Sequence, residues 1–231
     1  MVTYVQPTRS EDLGLKLPCN CFIPILPNSR KIKDDVIIGK DNGDPEINQP
    51  LFLLNCELDP EDIVNKYPKL WDYLKTGEES TASKYLCSKR KRWYYQEKRE
   101  PAPILCAYTQ RKDDAHQNNA VRFILNRSSA IATNSFHMLY PTELFYSKFG
   151  TDQKSIGLAW RYLSKLPSGR IFDEGRIYGG GLHKIEPREL SKVDISGIEE
   201  FILSEQNKWP PRNIEGYEKE FHAEETGAEM H

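Results

Sequence analysis

Two short apolar segments, residues 103–109 and 121–126, place the strongest limits on the fold of this chain. Each has the length of a buried strand, and a polar segment, residues 111–119, lies between them. Short apolar runs bounded by polar or turn-forming residues are typical of β-strands. The sequence therefore predicts two strands joined by a polar loop, and we expect a third strand over residues 129–133.

Helix signals precede these predicted strands. Asp59 and Pro60 are typical of the first positions of a helix, because Asp caps free backbone N–H groups and Pro lacks one. Pro68 predicts the start of a second helix, which we expect to end at Gly77. Shorter helices are predicted over residues 80–88, 188–190 and 195–203.

A longer amphipathic helix is predicted over residues 155–166. Its apolar side chains recur at helical spacing, and Arg161 and Lys165 fall on the predicted solvent side. Together with the strands, these helices indicate a mixed α+β fold, with short β-strands and peripheral helices.

The first part of the chain is rich in proline and has no sustained period. Residues 36–38 form a short apolar run, and residues 41–44 are a strong turn signal, so we expect a strand in a hairpin-like arrangement. The apolar run of residues 51–54 is the predicted partner of this strand.

The charge of the chain is unevenly distributed. The net charge is only −2, but the central stretch is basic and residues 199–229 are strongly acidic. Because an anionic partner responds to the local field, the basic centre is where we expect it to dock.

Five cysteines, an odd number, are scattered along the chain. The sequence shows no signal peptide and no run of about 18 apolar residues, so we expect a reduced, cytoplasmic protein with no membrane partner. Cys19 and Cys21 lie close together, but the sequence offers no second close pair of Cys or His residues to complete a zinc site. We therefore predict structural thiols and no metal site.

The clearest functional signal is a run of four cations, residues 89–92, followed directly by three aromatic residues, 93–95. Such a patch is the usual mark of a nucleic-acid surface, because cations neutralise phosphates and release counterions. The alternative is that Trp93 and one tyrosine belong to the core and the cations form a solvated face, which holds for about half of lone charge runs. Nearby arginines and an amide-rich loop favour the nucleic-acid interpretation.

Other candidate constellations carry less information. Residues 179–181 are three glycines without the Lys-Ser/Thr of a phosphate-binding loop, so we expect a tight bend that lets the backbone approach DNA or another strand. His137 and His183 have no catalytic partner in the sequence, and Asp173 and Glu174 lack the nearby lysine of a nuclease-like site. We predict no catalytic residues.

Five segments of the chain follow a known pattern. They are YPKLWDYL (67–74), RWY (92–94), RFILN (122–126), NSFHMLYP (134–141) and GGGLHKIEP (179–187). Together they resemble the C-terminal target-recognition domain of gamma-class adenine-specific DNA methyltransferases of restriction–modification systems. The resemblance covers roughly residues 51–193.

The resemblance implies a TaqI-like specificity domain that holds duplex DNA against a catalytic domain and supports flipping of the target adenine. In that family the catalytic domain transfers a methyl group from S-adenosylmethionine. Its Asn-Pro-Pro-aromatic motif is not found here, since the only Pro-Pro pair stands between Trp209 and Arg212. We therefore expect no cofactor in this chain and no methylation by the chain alone; joined to a catalytic domain, it would be part of a DNA adenine methyltransferase.

The predicted DNA contacts combine phosphate binders with arginines suited to guanine and amides suited to adenine. They are Lys89, Arg90, Lys91, Arg92, Trp93, Tyr94, Arg99, Arg111, Lys112, Asn118, Arg122, Asn126, Arg127, Asn134, His137, Gly180, His183 and Lys184. The expected partners are double-stranded DNA and a methyltransferase catalytic domain or subunit.

Three parts of the chain are predicted. Residues 1–50 form an extended lead-in with a short strand, residues 51–193 a DNA target-recognition domain, and residues 194–231 a C-terminal helix with an acidic tail. Two alternatives stay open: a domain that binds RNA, single strands or another protein, and a fused methyltransferase–endonuclease whose activity lies outside these residues.

Overall fold

A computed structural model of the protein describes residues 4–5, 21–108, 121–172, 176–178 and 182–206. Its contacts divide the chain into two compact units. The first unit takes its described residues from Met1–Lys33, Ile37–Ala102 and Asn126–Met138, and the second takes them from Asp34–Val36, Pro103–Leu125 and Leu139–His231.

Short strands and helices alternate along the described residues, which confirms the predicted α+β class. The strands are β1 (Tyr4–Val5), β2 (Phe22–Ile25), β3 (Val36–Ile37), β4 (Leu51–Leu54), β5 (Ile104–Tyr108), β6 (Val121–Asn126), β7 (Phe136–Leu139), β8 (Arg176–Tyr178) and β9 (Leu182–Lys184). The α-helices are α1 (Pro60–Lys66), α2 (Pro68–Gly77), α3 (Tyr85–Ser88), α4 (Glu143–Phe149), α5 (Gln153–Ser164), α6 (Ser168–Phe172), α7 (Pro187–Leu190) and α8 (Ile198–Gln206). Ser29–Lys31 forms a 3-10 helix and Glu78–Ala82 a π-helix.

In the first unit, β4 is the central strand of a three-stranded sheet with the order β1-β4-β2. Both pairings are antiparallel, with Leu53 opposite Tyr4 on one side and Ile23 on the other. The prediction that β4 pairs with β3 is wrong, because β3 lies beside β6 in a different sheet. An apolar strand such as β4 suits a central position, where neighbours cover both of its edges.

The turn predicted after β3 is present, but its hydrogen bonds join only the residues directly on either side of the turn. Lys40 N donates to Asp44 O at 2.8 Å, Gly43 N donates to Lys40 O at 2.7 Å, and Gly39 bridges Pro45. Gly43 has a φ of +83°, a backbone conformation that residues other than glycine rarely adopt. The hairpin therefore ends within a few residues and does not extend to β4.

Helices α1 and α2 begin where predicted, with Pro60 and Pro68 at their first positions. Helix α2 ends at Gly77, but the chain continues as the π-helix because Gly77 keeps a right-handed helical backbone. Tyr67 and Trp71 are half-buried and pack against the core, as expected. The buried side chains of this core are Cys21, Leu54, Cys56, Ile63, Leu70, Leu74 and Tyr94.

The third strand predicted over residues 129–133 is not formed. Ser128 N and Oγ both donate to Asn126 Oδ1, at 3.1 and 2.7 Å, and such side-chain bonds compete with a strand ladder. Only Ile131 makes an isolated parallel bridge, to Ile25. The chain instead forms β7, which the sequence did not predict.

In the second unit, β5 and β6 pair antiparallel, with Ile104 opposite Leu125, and this confirms both predicted strands. A four-stranded sheet has the order β3-β6-β5-β7, and its central strands β5 and β6 belong to the second unit as far as Leu125. Cys106 and Phe123 face each other across the pair and belong to the apolar cluster of this unit. Strands β8 and β9 form a separate antiparallel pair.

Helix α5 packs against this cluster and confirms the predicted amphipathic helix. Its buried side chains include Ile156, Leu158 and Trp160, and Trp160 Nε1 donates to Phe123 O at 3.0 Å. Because the indole keeps its hydrogen bond, its burial leaves no polar group unpaired.

The solvent side of α5 is only partly as predicted. Lys165 is exposed, but Arg161 is not on a solvated face, because its guanidinium lies 3.3 Å from the carboxylate of Glu205 in α8. Helix α8 packs along α5 and covers that side. Across the described stretches, the helices are too short or too polar to cross a bilayer.

Candidate nucleic-acid interface

The basic segment, residues 84–92, lies in the first unit and contains the one-turn helix α3. Cys87 N and Ser88 N donate to Lys84 O at 2.8 and 2.9 Å, and Arg90 N donates to Cys87 O at 3.1 Å. These bonds hold the backbone of the segment in a compact turn, which gathers its cations in a small region.

Trp93 fastens the end of the basic segment to helix α2. A methyl group on Gly77 would lie only 2.6 Å from Cη2 of Trp93, so the ring lies directly against the helix backbone. The ring is half-buried and meets that of Tyr94 edge-on, with 5.8 Å between the ring centres. Trp93 and Tyr94 therefore have the packing role that the sequence left open as the alternative.

The two arginines of the basic segment bind the protein itself. Arg90 Nη1 donates to Trp93 O at 3.4 Å, and Arg92 Nη1 donates to Glu57 O at 3.1 Å. Arg92 Nη2 also pairs with the carboxylate of Asp59, which makes no cap bond to helix α1. The side chain of Arg92 is only 18% exposed, so it positions the segment rather than facing solvent.

The lysines of the basic segment are exposed. Lys89 Nζ lies 5.7 Å from the centre of the Tyr85 ring, and the side chains of Lys84 and Lys91 are open to solvent. In the part of the chain that the structure describes, none of these three lysines forms an ion pair. Exposed, unpaired ammonium groups are well suited to phosphate oxygens.

Two apolar side chains on helix α3 are also exposed, and sequence reasoning did not single them out. Tyr85 is 74% exposed and Leu86 is 71% exposed, whereas Cys87 is half-buried. A one-turn helix with three consecutive apolar residues cannot turn all of them to the core. The three consecutive apolar residues of this short helix are therefore the sequence signal that could have predicted exposed apolar side chains here.

Two residues predicted to contact DNA are buried instead. Tyr94 is 5% exposed, its hydroxyl donates to Leu58 O at 3.0 Å, and burial raises its pKa. Asn126 is also 5% exposed, and its amide nitrogen donates to the carbonyl oxygens of Ala102 and Ala130 at 3.2 and 3.0 Å. Both side chains hold the first unit together, and neither is accessible to a ligand.

Two further predicted arginines form ion pairs. In the first unit, the exposed Arg99 lies 3.3 Å from the carboxylate of Glu97. In the second unit, Arg122 Nε lies 2.7 Å from the carboxylate of Asp35, and its Nη2 donates to Asp34 O at 3.2 Å. Arg122 thus has two partners, the carboxylate of Asp35 and the backbone oxygen of Asp34, whereas Arg99 pairs with the exposed carboxylate of Glu97.

The other predicted contacts differ in their accessibility. In the first unit Asn134 is exposed, whereas Arg127 and His137 are half-buried. His183 and Lys184 lie in β9, opposite Ile177 and Arg176 of β8. Arg111, Lys112, Asn118 and Gly180 lie outside the described residues. DNA contact by all of these residues stays a prediction.

Cavities and cysteine thiols are further features of the described residues that could form sites. A cavity of about 90 Å³ beside the basic segment is bordered by Leu86, Cys87 and Trp93, and is well below the usual size of a ligand pocket. The second unit holds a cavity of about 320 Å³ lined almost entirely by apolar side chains.

Within the described ranges no cluster of His, Cys, Asp or Glu could hold a metal ion. The described cysteines are free thiols, and Cys21, Cys56 and Cys106 are buried.

Comparisons with known proteins agree on one family. The family model of the type II methyltransferase M.Eco57I C-terminal domain matches residues 4–226. Type II methyltransferase M.AccI of Acinetobacter calcoaceticus is 28% identical over 178 residues, which is 76% of this chain and 29% of that protein. Type II methyltransferase M.XamI of Xanthomonas campestris pv. amaranthicola is 27% identical over 180 residues, which is 75% of this chain and 30% of that protein. The chain thus spans less than a third of the length of these relatives.

Proposed function

Because the chain belongs to the family of the type II methyltransferase M.Eco57I C-terminal domain, we propose that it binds duplex DNA and selects the target site of an adenine-specific methyltransferase. Membership confirms the sequence-based prediction of a C-terminal domain from a restriction–modification methyltransferase. The observation that carries the DNA-binding step is the group of exposed lysines in the basic segment: Lys84, Lys89 and Lys91.

The basic segment supplies phosphate contacts in this proposal. Lysine ammonium groups bind phosphate as point charges and release counterions from the duplex, which gives affinity without sequence preference. Arg90 and Arg92, which the sequence offered as base readers or phosphate binders, instead hold the segment in place. The segment therefore orients the domain on the duplex.

Base reading falls to residues that are accessible elsewhere in the chain. The exposed side chain of Asn134 has the donor and acceptor pair that matches adenine. Arg99 shares an exposed ion pair with Glu97, and such pairs contribute only about 0–1 kcal/mol, so its guanidinium can exchange that partner for a guanine edge. These two residues are our first candidates for specificity.

Methyl transfer belongs, in this proposal, to a catalytic domain that corresponds to the part of the relatives outside the matched region. That domain would bind S-adenosylmethionine and receive the adenine, which has to leave the base stack before its amino group can react. The partners of this chain are then the duplex and that catalytic domain.

The test is binding of the purified chain to a pool of duplexes of randomised sequence, measured at low and moderate salt. The wild-type chain should bind and enrich one short adenine-containing motif, and its affinity should fall as salt rises. A Lys89→Ala/Lys91→Ala variant should bind all sequences more weakly. Its slope of log affinity against log salt should be shallower by about 2, or about 0.9 for each lost phosphate contact.

A matched control removes the same charge from the second unit. Lys165 and Lys192 are exposed lysines there, so Lys165→Ala/Lys192→Ala should leave the affinity within about twofold of wild type. Equal weakening by both double variants would show a net-charge effect and remove the basic segment from the DNA face. Absence of duplex binding at low salt, or stronger binding to a single-stranded competitor, would contradict the proposed function.

A further inference from the structure

The two most exposed large hydrophobic side chains among the described residues are neighbours. Tyr85 and Leu86 are 74% and 71% exposed, and both lie on helix α3 near the start of the basic segment. Single exposed apolar residues are common on protein surfaces, but an adjacent pair within a cluster of cations is a specific arrangement.

Helix α3 presents this pair on a firmly held turn. Ser88 Oγ donates to Tyr85 O at 3.0 Å, and the backbone bonds from Cys87 and Ser88 to Lys84 close the turn. Lys89 Nζ lies 5.7 Å from the centre of the Tyr85 ring, within range of a cation–π contact. The pair is therefore displayed on an ordered backbone, and less conformational entropy is lost when it enters a binding site.

The surroundings of the pair specify the chemistry of its partner. Lys84 precedes it, and Lys89 and Lys91 follow it, all of them exposed. A partner that covers this segment must therefore combine anionic groups with a surface that accepts apolar side chains. A nucleic-acid duplex meets both requirements, because its phosphates border grooves floored by base-pair edges, and the apolar base faces become accessible between neighbouring base pairs when a step is unstacked.

We propose that Leu86, supported by Tyr85, is an apolar wedge that enters the duplex at a base step while Lys84, Lys89 and Lys91 hold the adjacent phosphates. The inference rests on the proposed function and adds the residue that would distort the duplex. Apolar wedges partly unstack a base step, which lowers the cost of moving a base out of the helix.

The experiment compares two fluorescently labelled duplexes of identical sequence, one fully paired and one with a central abasic site, by fluorescence anisotropy at low salt. A wedge costs less to insert where stacking is already broken, so the wild-type chain should bind the abasic duplex about tenfold more tightly. Leu86→Ala should bind both duplexes equally, within about twofold. Tyr85→Ala should show an intermediate ratio.

Two control variants separate the wedge from general effects. Leu144 has the same side chain and is 66% exposed on helix α4, so Leu144→Ala should keep the wild-type ratio. Lys91→Ala should weaken binding to both duplexes and leave their ratio unchanged. Melting curves of all variants should match that of the wild type, since every substituted side chain is exposed.

The remaining outcomes are distinct. A tenfold preference retained by Leu86→Ala would overturn the wedge and leave the proposed DNA binding intact. No binding to either duplex would overturn both. If wild type lacks the preference and sedimentation shows self-association that Leu86→Ala abolishes, the pair is an interface between copies of the chain and the wedge is rejected.

Discussion

The two units of this protein satisfy their buried polar groups in different ways. In the first unit, Asn55 Oδ1 accepts from Gln96 N at 3.0 Å and the Asn126 amide binds the backbone of two other segments. In the second unit, buried polar side chains form hydrogen bonds with groups at helix ends. The carboxylate of Glu189, for example, accepts a hydrogen bond from the backbone N–H of Glu186 at the start of α7. The described part of the first unit contains long loops, and side-chain amides bond to some of the backbone groups that lie outside strands and helices.

This difference bears directly on the DNA-binding prediction. An amide in a loop-rich unit has two possible uses, to satisfy the backbone or to read a base, and its residue type does not say which. Asn126 is buried and Asn134 is exposed, although both were predicted to contact DNA.

The largest expected effect follows from substituting these two asparagines. Asn126→Ala removes the partners of Ala102 O, Ala130 O and Ser128 N, so it should lower the free energy of unfolding by about 3–5 kcal/mol. Asn134→Ala should change it by less than about 0.5 kcal/mol. Urea unfolding of both variants measures the contrast, and a loss below about 1 kcal/mol for Asn126→Ala would contradict its bracing role.

A second prediction tests how apolar the interior of the second unit is. Burial raises the pKa of the Cys106 thiol from its ordinary value of 9.0 to about 12. Above pH 9 the unfolded chain loses this proton while the folded chain keeps it, so stability falls as pH rises. The thiol should reduce the free energy of unfolding by about 1.4 kcal/mol per pH unit until the folded pKa is reached.

The matched measurement is urea unfolding of wild type and Cys106→Ala at several pH values from neutral to alkaline. Lysines and tyrosines titrate equally in both proteins. The difference between the free energies of unfolding of wild type and Cys106→Ala therefore isolates the contribution of the thiol. The stability advantage of wild type at neutral pH should shrink as pH rises above 9.0, the ordinary thiol pKa. A constant difference would mean that water reaches the thiol.

The smallest expected effects come from one helical glycine in each unit. Gly77→Ala should lower the free energy of unfolding by about 1–2 kcal/mol, because the new methyl group would meet Trp93 at 2.6 Å and this outweighs the gain in helix propensity. Gly169 has no described atom within 4 Å of an added methyl group, so Gly169→Ala should raise stability by up to about 1 kcal/mol.

Thermal unfolding of the two glycine variants provides the readout, and their shifts in melting temperature should have opposite signs. A stabilised Gly77→Ala would show that Trp93 moves aside without cost. It would then not fasten the basic segment to helix α2.

Much of the fold follows from local signals in the sequence. Pro60 and Pro68 start helices because proline fits the first helical position, and residues 155–166 carry a clear helical period. The errors concern both elements and partners: the strand expected at residues 129–133 is not formed, and β7 was not predicted. The strand at residues 129–133 fails because of local side-chain bonds between Ser128 and Asn126. The pairing of β3 and the covered side of Arg161 depend instead on segments distant in sequence.

The sequence by itself determined that this chain is a mixed α+β protein with a concentrated basic patch, and its motifs identified the methyltransferase family. Only the tertiary structure decided which cations of that patch face outward. The partners of Arg92, Glu57 O and the Asp59 carboxylate, come from a segment 33 to 35 residues away. Charge is a property of residue type, but exposure depends on which groups the fold brings within hydrogen-bonding distance.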